Sequence, residues 1–264
     1  MKILKKKDEE KKKDKLRSVF SSISKKVKNS LPSLSSRRPT ALPHASRKIK
    51  LQDLRLDGST VPTIIRHCLE YLEKTGITTE GLYRTSGKYA KLNTLMAQVQ
   101  ANETINMVDE SPMVIASLLK AVIRALDEPL IPRIFSGDAG NLVASKKLDA
   151  LFHVLSIAPV VHQHTFATVF LHLRKVIAHS DSNRMTAAVL SRCTAPSLFG
   201  NVAPPVGDVA SNSTTADEIR RELHRQEELV VELLSLPQSK WEELFSTTNN
   251  CDRSTSSDVE EAAL

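Results

Sequence analysis

From Val61 onward, apolar residues recur at intervals of three and four in one segment after another, and Pro or Gly separates the segments. This spacing places the apolar side chains on one face of an α-helix. Strand-type alternation of Val, Thr and Tyr is rare, and the chain has only 8 Gly and 4% aromatic residues. The sequence therefore predicts an all-α fold rather than a β-sandwich or a barrel.

Seven helices can be placed from this pattern and its end signals. Pro62 suits a first helical position and Gly76 a C-terminal cap, which predicts a first helix over 62–75. A second helix is predicted to be capped by Ser86 and to carry Tyr89 to Val99. The third lies within 111–129, the fourth over 145–158 and the fifth over 162–178. The sixth runs from Met185 to Thr194 and ends before Pro196, and the seventh runs from the capping box at Thr215 and Glu218 to the vicinity of Pro237. No repeat of about 20–50 residues occurs, so we expect one domain of about seven to nine helices.

The positive charge is concentrated at the N-terminus. Residues 1–50 contain 17 Lys and Arg against 4 Asp and Glu, whereas the remaining residues contain 20 against 26. A basic arm over 1–50 therefore precedes a mildly acidic domain over 51–246. The arm is rich in Lys and Ser and contains three prolines, which predicts that most of it is disordered, and the Ser- and Asp-rich tail over 247–264 is predicted to be disordered as well.

One part of the arm, residues 15–31, has the spacing of an amphipathic helix. Apolar residues that include Phe20 and Ile23 form one stripe, and lysines that include Lys25 and Lys26 lie on the other face. Such a helix binds an anionic membrane surface, because each cation adds about 1 kcal/mol and the stripe buries apolar area. A solvated tail is an equally good interpretation. Nuclear import and nucleic-acid contact are further alternatives, of which nucleic acid is the least favoured.

The sequence carries none of the common catalytic signatures. It has no phosphate-binding GxxxxGK loop, no dinucleotide-binding GxGxxG, no GxSxG and no HExxH. The three cysteines include no CxxC pair and the histidines do not converge, so we expect no metal site. Unpaired thiols and the lack of an apolar signal segment predict an intracellular protein, in the cytoplasm or at the inner face of the plasma membrane, with the nucleus as an alternative.

Three cations are candidates for a binding site. Arg84 follows Gly-Leu-Tyr and precedes Thr-Ser-Gly in a turn-rich loop, so it either serves its own protein or is presented to another one. Lys120 and Arg124 lie one turn apart on the polar face of the third predicted helix. One interpretation is a solvated helix face, with Arg124 paired to Asp127 or Glu128. The other is an anionic partner that both residues meet beside Arg84.

Three segments together resemble the signature blocks of the RhoGAP domain family. They are VPTIIRHCLEYLEKTGITTEGLYRTSG, VIASLLKAVIRALDEPLIP and HQHTFATVFLHLRKVIAHSDSNRMTAAVLSRCTAPSLFG, in that order. The resemblance covers about Leu51 to Trp241. Within the family, GLYRTSG, HCLEYLE and ELLSLPQSKWEELF look most similar to the GAP subunit of centralspindlin, the MgcRacGAP group, whose zinc-binding module and coiled coil are not found in this sequence.

The resemblance implies an all-helical domain that binds a Rho-family small GTPase (Rho, Rac or Cdc42) in its GTP form and activates hydrolysis there. Arg84, from its place in GLYRTSG, would be the arginine finger. Lys120 would reach the switch region of the GTPase, and Arg124 would brace the loop that carries the finger. Pro129 would shape the loop after the third helix, and Asn183 would help to order the contact surface. GTP and Mg²⁺ belong to the GTPase, so the chain needs no cofactor and is not itself the enzyme.

One position departs from the family pattern. Val189 stands where the family usually has an asparagine that hydrogen-bonds at the GTPase contact, and valine can neither donate nor accept. A partner group that is left buried and unpaired costs about 1–3 kcal/mol, which predicts an attenuated activator. The alternative is a non-catalytic GTPase-binding scaffold. Arg84→Ala distinguishes the two, because only an activator would lose its stimulation of turnover.

Overall fold

The computed structural model describes residues 48–135, 144–200 and 216–241. These residues contain eight α-helices and, apart from one isolated backbone bridge, no β-structure. The helices are α1 Thr63–Tyr71, α2 Tyr89–Gln100, α3 Pro112–Ala125, α4 Ala144–Ser156, α5 Val160–Ala178, α6 Ser180–Asn183, α7 Ala187–Leu198 and α8 Ala216–Ser235. Short 3-10 turns cover Leu51–Asp53 and Arg133–Phe135, and a π-helical turn, Leu72–Gly76, continues α1. The all-α prediction is confirmed.

Helix α5 lies in the core of the described fold, where ten of its nineteen residues are buried. Its aromatic residues meet Trp241, which is fully buried near the C-terminal end of the described residues. The indole stacks on Phe170 with ring centroids 5.2 Å apart and also contacts Phe166 at 5.8 Å. Burial of these large rings makes a major contribution to the hydrophobic stabilisation of the domain, and it holds α5 in place within the core.

Helix α3 is the second buried element, and it carries Lys120 and Arg124. Eight of its fourteen residues are buried, and it packs against α1, α2 and α7. The Ser-Pro start that the sequence predicted is present, because Ser111 is the N-cap and Pro112 the first helical residue. The two cations therefore project from a helix that is held on three sides.

The C-terminal end of α3 pairs with the segment that precedes the first 3-10 turn. Ile49 donates its backbone N–H to Ala125 O and accepts from Asp127 N, and both distances are 2.9 Å. Lys48 adds a side-chain hydrogen bond from Nζ to Leu126 O at 3.3 Å. These bonds satisfy backbone groups that the end of a helix leaves without partners.

The second helix begins later than the sequence predicted. It starts at Tyr89, with Lys88 as an extended N-cap, rather than directly after Ser86. The reason is a tertiary contact, because Gly87 donates its backbone N–H to Ser117 Oγ of α3 at 2.9 Å. That bond holds the chain against α3 in a non-helical conformation.

Helix α7 ends later than the sequence predicted. A helix from Met185 to Thr194 was expected, yet α7 continues through Pro196 to Leu198. Proline removes one intrahelical hydrogen bond, but the last turn is held from outside the helix. Leu198 is buried, and its carbonyl accepts from Ile131 N at 3.1 Å. The one-turn helix α6 was not predicted at all.

Several predicted features lie outside the described residues. They are the amphipathic helix over 15–31 with Phe20, Ile23, Lys25 and Lys26, the capping residue Thr215, and the tail over 247–264. The domain boundaries stay predictions, although the described residues begin three positions before the expected boundary at 51. None of the helices in the described ranges has both the length and the apolar content needed to cross a membrane.

Candidate functional site

Arg84 lies in a tight loop between the π-helical turn and α2, named here the Arg84 loop (residues 81–88). Gly81 has φ of +71° and accepts two backbone hydrogen bonds, from Arg84 N and Thr85 N, each at 2.9 Å. Its own N–H donates to Asn183 O at 2.8 Å. A positive φ at this position suits glycine, so the sequence dictates the turn locally. The loop is short, closed on itself and attached to α6.

The far side of the Arg84 loop lies directly on α3. A Cβ placed on Gly87 would stand 2.5 Å from Val114 Cα and 2.8 Å from Val114 N. The backbone can approach the helix this closely only because glycine has no side chain. Together with the hydrogen bond to Ser117, this contact fixes the distance between the loop and the helix that carries Lys120.

Tyr83, the residue before Arg84, anchors the loop in the core. It is fully buried and has φ of +70°, which is rare for an aromatic residue. Its hydroxyl lies 2.7 Å from Nε2 of the buried His172 on α5. Nδ1 of that histidine lies 3.1 Å from Oε1 of Glu73, whose other oxygen is 2.7 Å from Lys175 Nζ. The residue that precedes the arginine is thus held by a hydrogen-bond chain that leads to the surface.

The ionisation states of Glu73 and His172 agree with the geometry of this hydrogen-bond chain. The hydrogen bond from His172 lowers the pKa of Glu73 to about 2, with Lys175 contributing in the same direction. Burial lowers the pKa of His172, and the neighbouring carboxylate opposes that effect. The imidazole is therefore neutral and Glu73 is ionised at neutral pH.

The Arg84 side chain is exposed. Among the hydrogen bonds and ion pairs between described residues, none involves its guanidinium. The group lies beside Gly81, with Nη2 3.4 Å from the position that a Cβ there would take. Of the two possibilities that the sequence left open, pairing within the described protein and presentation to another molecule, the geometry favours the second.

Lys120 is half-buried and contacts the Arg84 loop directly. Its Nζ donates to Tyr83 O at 2.5 Å, and burial lowers the pKa of the ammonium group. The sequence assigned the bracing of this loop to Arg124, which instead donates from Nη2 to Ser197 Oγ of α7 at 3.0 Å. The difference arises because the Tyr83 carbonyl lies level with Lys120, one turn before Arg124. Arg124 pairs with neither Asp127 nor Glu128, the other possibility left open.

Asn183 is fully buried and all of its side-chain contacts are internal. Its Nδ2 donates to Ile77 O and Val176 O, each at 2.8 Å, and its Oδ1 accepts from Met185 N at 2.8 Å. The resemblance listed Asn183 with the GTPase-binding residues as one that helps to order their surface, and a side chain at this depth does not itself reach a partner. Its backbone carbonyl accepts from Gly81 N, so Asn183 helps to hold the Arg84 loop.

Val189 and Pro129 lie near opposite ends of α7. Val189 is half-buried in the first turn, one turn before Cys193. Burial raises the pKa of the Cys193 thiol, and the charges of Lys120, Arg84 and Arg192 oppose that rise. Pro129 is half-buried at the other end, beside Gly200.

A narrow pocket connects these elements. It lies between the Arg84 loop, α3, α5 and α7, and its lining includes Tyr83, Lys120, Thr194 and Ser197. The described residues hold no cluster of three or more His, Cys, Asp or Glu side chains placed to bind a metal ion. No pattern in the sequence indicated that His172 and Glu73 belong to this site, since a histidine on the apolar face of α5 has the pattern of a core residue.

The comparisons with known proteins all point to one domain family. A family model described as the RhoGAP domain matches residues 62–203. The chain is 30% identical over 211 residues to Rho GTPase-activating protein 12 of Homo sapiens, an alignment that covers 72% of this chain and 25% of that protein. It is 33% identical over 147 residues to Rho GTPase-activating protein 35 of Mus musculus, with 53% of this chain and 10% of that protein covered. The chain thus spans a quarter or less of the length of these two relatives.

A solved structure shares the fold. The crystal structure of human Rho GTPase activating protein 15 matches with a TM-score of 0.59 and 25% sequence identity. The match covers 81% of this chain and 99% of the solved chain. The expected likeness to the centralspindlin group stays a prediction.

Proposed function

The chain belongs to the RhoGAP domain family, and from this we propose that it stimulates GTP hydrolysis by a Rho-family small GTPase. Hydrolysis takes place in the active site of the GTPase, and this chain supplies Arg84 to it as an arginine finger. One observation carries the proposal. Arg84 is an exposed guanidinium without a partner among the described residues, on a loop whose backbone is fixed at Gly81, Tyr83 and Gly87.

An arginine suits this reaction for a physical reason. Transfer of the γ-phosphoryl group to water builds negative charge on the phosphate oxygens, and a guanidinium offers a planar fork of donors to that charge. Arginine fingers contribute about 10³–10⁵ in kcat, which corresponds to about 4–7 kcal/mol. A rigid loop preserves this gain, because the loop backbone loses little further conformational entropy when the side chain enters the nucleotide site.

The cations of α3 fit a supporting role. Lys120 uses one of its three donors on the Tyr83 carbonyl, so two remain for the switch region of the GTPase. Arg124 is exposed one turn further along α3 and adds positive charge to the same surface. GTP and Mg²⁺ enter with the GTPase, and this chain contributes side chains alone.

A second candidate function is a non-catalytic GTPase-binding scaffold. The observation that favours it is Val189, a half-buried apolar side chain in the first turn of α7 at the position where the resemblance expects a hydrogen-bonding asparagine. Such a scaffold would bind the GTP form of the GTPase without accelerating hydrolysis. Its binding would not depend on the guanidinium.

Single-turnover GTP hydrolysis by a panel of Rho, Rac and Cdc42 separates the two functions. We expect the wild-type chain to accelerate at least one of them, and Arg84→Ala to reduce the stimulated rate by about 10³-fold or more. Affinity for the GTPase loaded with a non-hydrolysable GTP analogue should change little. Arg220→Ala, which removes an exposed arginine of α8, is the matched control. A wild-type chain that binds without accelerating, or an Arg84→Ala variant that still accelerates, contradicts the proposed activator.

A further inference from the structure

The backbone of Tyr83 stands out in the Arg84 loop. Its φ of +70° lies in the left-handed region, where bulky side chains are disfavoured. Residues persist in such conformations only where the surroundings hold them, and they cluster at functional sites. Tyr83 directly precedes Arg84, so its φ and ψ determine the direction in which the chain presents that arginine.

Two hydrogen bonds hold Tyr83 in this conformation, one at each end of the residue. Lys120 Nζ holds the backbone carbonyl at 2.5 Å. His172 Nε2 holds the phenol oxygen at 2.7 Å, and the two rings also meet edge to face with centroids 5.9 Å apart. The hydroxyl and the imidazole are both buried, so neither has water as a substitute partner.

The proton positions in the hydrogen-bond chain from Tyr83 to Glu73 follow from the donors and acceptors that its side chains carry. The ionised carboxylate of Glu73 can only accept, so Nδ1 of His172 carries the proton and donates to it. Nε2 is then the acceptor, and the phenol O–H of Tyr83 donates to it. Glu73 thus selects the tautomer of His172 that can hold Tyr83, and Lys175 holds Glu73 at the surface.

We propose that His172 is a positioning residue for Arg84. His172 acts on Arg84 through Tyr83, and its tautomer depends on Glu73. This inference rests on the proposed role of Arg84 as an arginine finger. With the phenol held, the loop keeps the strained conformation that presents the guanidinium. With the phenol released, Tyr83 relaxes toward negative φ, and Arg84 samples directions that do not reach the phosphate. His172 itself never touches the GTPase.

The test separates positioning from binding. Tyr83→Phe removes the hydroxyl while keeping the ring, and His172→Leu removes the acceptor. We expect each variant to lower the stimulated single-turnover rate about tenfold, equal to about 1.4 kcal/mol. Affinity for the GTPase loaded with a non-hydrolysable GTP analogue should stay within about twofold of wild type, because docking does not require an inserted arginine.

A transition-state complex gives a second readout. GDP with aluminium fluoride, bound to the GTPase, imitates the transition state of phosphoryl transfer. An inserted guanidinium strengthens the complex between this chain and the GTPase in that form. We expect both variants to lose about tenfold in affinity for this form alone. The double variant should lose no more than either single one, because both changes break the same hydrogen bond.

Gln163→Leu is the matched control. Gln163 is a buried polar residue of the same helix, and its side chain bonds to Ala158 O at the opposite end of α5, roughly 14 Å from His172 along the axis. It should lower the melting temperature without changing either readout. Equal losses in the two GTPase forms, additive effects in the double variant, or unchanged rates in Tyr83→Phe would each overturn the positioning role. An Arg84→Ala variant that keeps full stimulation would instead overturn the arginine finger itself.

Discussion

Lys120 donates a hydrogen bond from Nζ to the backbone carbonyl of Tyr83, so helix α3 holds the residue that directly precedes Arg84. The ammonium group is half-buried, and burial lowers its pKa. A cation that loses hydration is retained in a fold when it makes strong hydrogen bonds in return. The contact joins Lys120 to the residue next to Arg84, and both are cations that the sequence singled out.

Lys120→Met should weaken the activity without unfolding the domain. Methionine keeps most of the aliphatic stem but removes the donor to Tyr83. A hydrogen bond to a charged group is worth about 1.5–3 kcal/mol, so we expect the stimulated rate to fall by about tenfold to a hundredfold. Single-turnover hydrolysis measures this, with Lys74→Met as an exposed-lysine control. A normal rate in Lys120→Met would show that the loop does not depend on this bond.

Val189→Asn should strengthen the contact with the GTPase. Asparagine supplies a donor and an acceptor where valine supplies neither, and a partner group that gains a hydrogen bond recovers part of about 1–3 kcal/mol. We expect about a tenfold gain in affinity or in stimulated rate. Val189→Ala controls for the smaller side chain. If the asparagine variant behaves like the alanine variant, Val189 does not attenuate this domain.

Gly87→Ala should disturb the Arg84 loop through a steric clash. The new Cβ would stand 2.5 Å from Val114 Cα, so the loop must move away from α3. Overpacking of this kind costs about 1–3 kcal/mol of stability, and we expect more than a tenfold loss of stimulation in addition. Gly58→Ala is the control. The φ of Gly58 is +73°, but apart from its chain neighbours no atom lies within 4 Å of the position that a Cβ would take. The substitution should therefore cost about 1–2 kcal/mol of stability and leave stimulation unchanged. Chemical denaturation and single-turnover assays together distinguish these outcomes.

Glu73→Gln should change the response of stability to acid. The folded pKa of Glu73 is about 2, below its ordinary value of 4.5, chiefly because of the hydrogen bond with His172. Its contribution is therefore fully present above about pH 4.5 and is lost as the pH falls toward 2. The carboxylate is partly exposed, so we expect about 1 kcal/mol. Urea unfolding between pH 5 and 2 should show a shallower decline in the variant, and an unchanged decline would contradict the pairing.

The helices could be predicted where their signals are local. The Ser-Pro start and the unbroken apolar stripe of α3 lie within the helix itself, and that prediction is confirmed. The start of α2 could not be predicted, because Ser86 satisfies the rules for a cap while a contact from Gly87 to Ser117, thirty residues away, keeps the chain extended. The end of α7 depends in the same way on the distant Ile131.

The site shows the same division. Arg84 was identified from its motif, and its exposure is consistent with the predicted role. Lys120 and Arg124 share one helix face, so their spacing could not determine which of them meets the Tyr83 carbonyl. His172 was grouped with histidines that do not converge, because its partner, Tyr83, is 89 residues away in sequence. Contacts of this length leave no periodic pattern in the chain.

The pairing of Ile49 with the end of α3 has a practical consequence for cutting the chain. A fragment that starts at residue 51, as the motif boundaries suggest, would lose both backbone bonds that close this helix, to Ala125 and Asp127. The carbonyl of Ala125 and the N–H of Asp127 would then lose their partners, within three residues of Arg124. A fragment for crystallisation or isotope labelling should therefore start no later than Lys48.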